Sequence, residues 1–180
     1  MFGVAGAAQN DLQIGDVVFI GDVCSLDNGR PGQVQPLAAW PTTAQQAAVQ
    51  VLQSRGARCM TGTALTTPGT QSVHLQPQEL AQPVLEMETM GIARVAAEQA
   101  IPLLALRAIS DTIEEPIPFG PEEFFDADFN LRPGKIARLV LRRPHSLLQF
   151  LRLARNSDRA AENTAIALIA ALSMTLRQAG

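Results

Sequence analysis

Only two cysteines, Cys24 and Cys59, and two histidines, His74 and His145, occur in the 180 residues. The cysteines lack Cys-x-x-Cys spacing and the histidines stand far apart, so no set of ligands for a zinc site is apparent. Two scattered thiols are the pattern of inert core residues in a reducing compartment. An excess of positive charge is missing too. The formal net charge is −3, which gives nucleic acid no electrostatic hold. Charged residues make up 17% of the chain and apolar residues 47%, a balance that builds a core and argues against disorder. The longest apolar run, Ala165 to Leu172, falls well short of the about 18–20 residues that cross a bilayer. Met1 leads into FGVAGAAQNDLQIGD with no basic stretch before an apolar core, so no secretory signal is expected. These absences predict one cytoplasmic domain over residues 1–180, with the last apolar run packed as a helix.

What is present alternates between two periodicities. Asp16 to Gly21 reads as a strand after a turn at Gly15. Thr43 to Ser54 has helical spacing, with Ala47, Val49, Val51 and Leu52 available for packing and Gly56 as the stop. Arg58 to Leu65 reads as a strand that ends in the turn residues TTPGT. A strand at Val84–Met87, a helix at Thr89–Gln99 and a strand at Pro102–Ile109 follow. Strand–helix–strand order predicts an α/β sheet with helices on its faces. From Asp111 to Asp128 the chain is acidic and broken by prolines, the pattern of a long loop or lid. Beyond Arg132 it turns helical and basic. No repeat or low-complexity tract interrupts it.

The stretch VLEMETMGIARVAAEQAIPLLALRAISD, from Val84 to Asp111, holds the residues that could do chemistry. Ser110-Asp111 closes an apolar strand, and open α/β sheets place their ligands at the carboxyl ends of strands. Taken alone, it is also an ordinary helix cap. Glu86-Met87-Glu88 offers two carboxylates around a methionine. On its own it would be a solvated helix face beside a core methionine. One helix and one strand separate the two motifs, and that combination is far more specific than either part.

In this combination the chain resembles the purine nucleoside phosphorylase and methylthioadenosine/S-adenosylhomocysteine nucleosidase superfamily. The resemblance extends to FGVAGAAQNDLQIGDVV, which is similar to the family's Gly-x-Ala-Gly turn and Gly-Asp-Val strand. It implies a three-layer α/β/α sandwich around a central twisted mixed sheet. It further implies cleavage of the N-ribosidic bond of a purine nucleoside, such as a 5′-modified adenosine, by phosphorolysis or hydrolysis. Asp111 inherits the part of general acid toward the purine N7, so that the base does not leave as an anion. Ser110 orients that acid, and Arg107 supplies positive charge behind the site. Glu88 binds the ribose hydroxyls and stabilises the charge that builds on the sugar. Met87 packs on the sugar, and Glu86 supports the site or the attacking group. Gly3, Ala5 and Gly6 let backbone come close to the sugar and the nucleophile. The segment CMTGTALTTPG is similar to the strand flanking the purine, which places Leu65 and Thr66 at the base. Leucine there gives an apolar wall in place of a stacking ring. Where Val4 stands, methylthioadenosine nucleosidases usually carry serine.

The family's strands and helices before the Gly-x-Ala-Gly turn have no counterpart ahead of Met1, so the resemblance implies a fold truncated at its amino end. The strands at Gly3–Ala5 and Val17–Ile20 are then expected to keep unpaired edges, which favour self-association. No cofactor or metal is implied, only inorganic phosphate as co-substrate for a phosphorylase. LRPGKIARLVLRRPHSLLQFLRLARNSDRAA is similar to the hopanoid-associated branch, the adenosylhopane phosphorylases. Its arginines and Lys135, interleaved with leucines, fit either ordinary helix packing or peripheral association with an anionic membrane. Methylthioadenosine, S-adenosylhomocysteine or futalosine hydrolysis stays open. So does a catalytically incompetent nucleoside-binding relative.

Overall fold

The structure, a computed structural model, describes residues 1–27, 30–67, 80–114, 132, 134 and 146–179. Seven strands and three helices follow along these residues. They are β1 (Phe2–Ala7), β2 (Val17–Asp27), β3 (Arg30–Pro31), β4 (Gln35–Pro36), α1 (Thr42–Gln53), β5 (Cys59–Thr66), β6 (Val84–Glu86), α2 (Thr89–Glu98), β7 (Ala105–Asp111) and α3 (Ser146–Ala179). The sheet is mixed. β2 runs parallel to β5, β5 to β6 and β1 to β7, while β6 lies antiparallel to β1.

β7 also pairs antiparallel with the first half of β2, from Val17↔Ala108 to Ile20↔Ala105. The path β2–β5–β6–β1–β7 therefore returns to β2, and five strands close into a ring. Val17 to Ile20 are buried without alternation, as expected for a strand covered on both faces. Their side chains divide between two cores. Val18 and Ile20 join Ala105, Ile109 and the α2 residues Met90 and Ala93. Val17 and Phe19 join Leu106, Ala108 and the alanines of α1 and α3. With α1 and α3 on one side and α2 on the other, the predicted sandwich is present.

The predicted strand at Asp16–Gly21 is longer in the structure. The pairing with β5 jumps from Ile20↔Gly62 to Asp22↔Thr63, so Gly21 is taken up as a bulge and the strand continues to Asp27. Of the expected packing residues of α1, Leu52 is buried and Val51 packs against the core, while Ala44 and Ala48 take the place of Ala47 and Val49. The buried residues of this helix, Ala44, Ala48 and Leu52, are four apart on one stripe and meet Ala160, Ala167 and Ala171 of α3. Small residues on both helices let them approach closely. Trp40 stacks edge-on against Phe19, with ring centroids 5.1 Å apart, and its indole N–H donates to the Ala105 carbonyl at 3.1 Å. Asn163 ties α3 to the sheet by donating to the Gly15 carbonyl at 2.7 Å and accepting from Arg55 Nε at 2.9 Å. The run Ala165–Leu172 is only half packed, since Ala167 and Ala171 are buried while Ile169 and Leu172 are exposed. Among the described residues no helix is long and apolar enough to cross a membrane.

The expected unpaired edges resolve differently for the two strands. Val17–Ile20 is flanked by β5 and β7, so that edge is closed. β1 is open. Leu106 N–H donates to the Met1 carbonyl, and in a parallel ladder this alternation turns the main-chain groups of Gly3 and Ala5 toward β7. Those of Phe2 and Val4 then face the opposite edge. There β6 reaches only Gly6 and Ala7, and no other described strand pairs. Phe2 and Val4 are 59% and 40% exposed.

Glu115 to Leu131, which includes most of the acidic stretch, lies outside the described residues, as do Lys135, Arg138, Arg142 and Arg143.

Candidate functional site

The two motifs meet across β1. Its register against β7 pairs Gly3 with Arg107 and Ala5 with Ile109, then jumps to Gly6 with Asp111. Ser110 is the extra residue of this bulge, which re-aims the end of the strand. The Ser110 hydroxyl lies 2.8 Å from Asp111 Oδ1 and 3.3 Å from the Ala5 carbonyl, able to donate to either. Burial pushes the Asp111 carboxyl above its ordinary range, and the hydrogen bond from Ser110 offsets this only in part. The shift is in the direction that suits a general acid.

The Glu86-Met87-Glu88 turn separates its carboxylates completely. The Glu86 side chain is 2% exposed and that of Glu88 is 65% exposed. β6 ends at Glu86 and α2 begins at Thr89, so the turn between them swings Glu88 outward. Glu86 is saturated. It accepts from the amides of Glu88 at 3.0 Å and Thr89 at 2.8 Å. It also accepts from the Thr89 hydroxyl at 2.6 Å, from Arg107 Nη2 at 2.7 Å and from the Thr66 hydroxyl. Burial alone would raise its pKa, but the hydroxyls of Thr66 and Thr89 and the two amides outweigh that and hold it below the ordinary range. Its position is that of an anion on the first amides of α2, where the helix dipole favours negative charge.

Arg107 is buried between these groups. Besides Glu86, its Nη2 approaches the Thr89 hydroxyl at 3.0 Å and Glu88 Oε2 at 3.4 Å. Its positive charge thus stands behind the Glu86–Glu88 pair, level with Gly3, and not behind Asp111, level with Gly6. Met87 is exposed beside Glu88, and Ala5 is buried in the core. Leu65 is completely buried between Cys24 and Leu85. The Thr66 hydroxyl is engaged twice, donating to Glu86 and accepting from the Met90 amide at 3.0 Å. The structure thus groups Glu86, Glu88, Arg107 and Thr66 around one ion pair, with Arg107 level with Gly3, and sets Ser110 and Asp111 level with Gly6. Ala5 and Leu65 lie in the core.

Thr89 is the member of this cluster that sequence reasoning missed. Its hydroxyl bridges Glu86 and Arg107, and its only signal was a Thr at a helix start. Among the described residues no group of His, Cys, Asp and Glu could hold a metal ion. The Cys59 thiol is pushed up to about 12 by burial and by the nearby Asp16 charge, away from the thiolate form.

The model of the Phosphorylase superfamily matches residues 1–142. Among solved structures, the chain is similar to the 5′-methylthioadenosine/S-adenosylhomocysteine nucleosidase of Colwellia psychrerythraea in complex with adenine, with a TM-score of 0.59 and 16% identity. That match covers 96% of this chain and 64% of the other. The Helicobacter pylori nucleosidase with butyl-thio-DADMe-Immucillin-A is similar at a TM-score of 0.55 and 16% identity, covering 96% of this chain and 66% of that one. The Helicobacter pylori futalosine hydrolase gives a TM-score of 0.55 at 17% identity, covering 96% and 66%. The chain spans just under two thirds of the length of these structures, and at such identities the likeness is one of fold. With the family model matching residues 1–142 of 180, the chain belongs to the phosphorylase superfamily.

Proposed function

We propose that the protein cleaves the N-ribosidic bond of a purine nucleoside or 5′-modified adenosine. The observation that carries this proposal is the pair of unlike carboxyls along β1. Asp111 is half-buried, its carboxyl held above the ordinary range by that burial, and steered by Ser110. Glu88 is open to solvent and backed by Arg107. Environments that differ this way divide acid from charge-stabilising carboxylate. Three strand residues separate the Gly3 and Gly6 levels, about 10 Å at the usual strand rise, a span on the scale of a nucleoside. Asp111 gives its proton to the departing base as the bond from the sugar to the base breaks. Glu88 meets the ribose hydroxyls and the positive charge that grows on the sugar. Water or inorganic phosphate completes the sugar, and no cofactor is required. Adenine in the Colwellia nucleosidase complex supports an adenine-type base.

The direct test incubates the chain with adenosine, methylthioadenosine and futalosine, with and without inorganic phosphate. Release of free base is expected, and phosphate dependence separates phosphorolysis from hydrolysis. Glu88→Gln is expected to lower kcat by more than it raises KM, because its charge is used most in the transition state. The wild type should also prefer ribosides to 2′-deoxyribosides, and the mutant should lose most of that preference. Unchanged ribose discrimination in Glu88→Gln would remove Glu88 from the sugar.

The open edge of β1 supports a homo-oligomer. An unpaired strand edge beside exposed Phe2 and Val4 is a template for another chain. Light scattering is expected to find assemblies larger than the 19.3 kDa chain, shifted toward monomer by Val4→Lys. A monomeric wild type would show that the edge is inert.

A further inference from the structure

We propose that Gly6 is a positioning residue, whose missing side chain is the seat of the Asp111 carboxyl on the neighbouring strand. This rests on the reading of Asp111 as the acid. It gives Gly6 a part beyond close approach of backbone to a ligand. A Cβ built at Gly6 would lie 2.6 Å from Asp111 Oδ2 and 3.3 Å from its Cγ. The first distance is too short for any side chain with the carboxyl where it is, and the second is tighter than an ordinary contact. The neighbour cannot yield cheaply, since Asp111 has a short side chain whose other oxygen is held by Ser110 at 2.8 Å.

Gly3 lies level with the other charged residue of β7, Arg107. Its Cβ would lie 2.4 Å from Arg107 Nη1. The two glycines are three residues apart while Arg107 and Asp111 are four apart. The Ser110 bulge absorbs the difference and brings each charged group opposite a glycine. Gly91 offers the contrast. It lies exposed on α2, and a Cβ there would meet nothing within 4 Å.

Gly6→Ala, made in the full chain, pushes the carboxyl out of its seat and away from Ser110. The first readout is the titration of Asp111 followed by carboxyl carbon NMR, which needs no activity. Burial is the larger influence on this carboxyl and the Ser110 hydrogen bond the smaller, opposing one, so on displacement into solvent its midpoint is expected to fall toward the ordinary carboxylate value in Gly6→Ala, and to stay in place in Gly91→Ala. With substrate, kcat is expected to fall about 10²-fold, the usual effect of displacing a catalytic group by about an ångström, with KM little changed. An unaltered titration in folded Gly6→Ala would overturn the proposal. An inactive wild type whose Asp111 titration still responds to Gly6→Ala would instead count against the proposed reaction and leave the seat standing. Should Gly6→Ala fail to fold, Gly6→Ala/Asp111→Ala decides the matter. Recovery of folding on removing the carboxyl supports the seat, and continued failure overturns it.

Discussion

Asp111→Asn is expected to fold normally and to lower turnover of purine nucleosides by about 10²–10⁴-fold, the usual contribution of a positioned proton donor. The amide keeps the shape and can still accept from Ser110, but it has no acidic proton for the base. Stability gives an independent check on its sign. Burial raises the Asp111 pKa in the folded state above the value of the unfolded chain. Between those two values the folded protein binds more protons, so this group's contribution to stability falls as pH rises through that window. The neutral asparagine escapes that loss. Asp111→Asn should therefore be at least as stable as the wild type at pH 7, and should gain on it as pH rises from 4. Turnover of the wild type should decline as pH rises through the folded pKa of Asp111. Near-wild-type rates in a stable Asp111→Asn protein would take the acid away from Asp111.

Much of this arrangement was legible because it is written in local periodicity. The apolar run of β7, the helical spacing of α1 and α2 and the turn at Gly15 all act within a few residues. The structure moves their ends by only a few positions. The closure of β7 onto β2 was not legible. Nothing in Val-Val-Phe-Ile states that both flanks are taken, and an apolar strand looks alike beside one neighbour or two. The Glu-Met-Glu motif shows the same boundary at the level of a site. Glu86 and Glu88 are identical in type and two residues apart, so spacing alone would put them on one face of a strand. They separate because β6 stops at Glu86 and the turn into α2 redirects the next residues. The buried partner Arg107 arrives from a strand nineteen to twenty-one residues later. Gly3 and Gly6 were visible as glycines, but what they make room for depends on a parallel register and a bulge.

The buried pair Glu86–Arg107 predicts the largest effect on stability. Arg107→Met keeps an unbranched chain of similar volume but leaves the Glu86 carboxylate without its cation. Removing one partner of a buried ion pair typically destabilises by about 3–5 kcal/mol. Two features favour the lower end of that range. Glu86 keeps four neutral donors, from Thr66, Glu88 and Thr89. In addition, Arg107 Nε is buried with no hydrogen-bond partner among the described residues, so its removal relieves a desolvated group. A loss of about 3 kcal/mol corresponds to a fall in Tm of roughly 6–12 °C for a chain of this size. The pH dependence identifies the cause. Glu86 has a folded pKa below its unfolded value, so its contribution is fully present above the unfolded value and is lost as pH falls through the folded one. Without Arg107 the folded pKa moves up, and protonation rescues the mutant. The gap between wild type and Arg107→Met should therefore be widest near pH 7 and narrow as pH falls through 4.5. Glu86→Gln combined with Arg107→Met should recover part of the stability by removing the stranded charge. Urea unfolding of the three variants at pH 7 and pH 4.5 measures all of this. A gap below about 1 kcal/mol that does not change with pH would mean that the pair contributes little to the fold, and that α2 holds Glu88 in place without it.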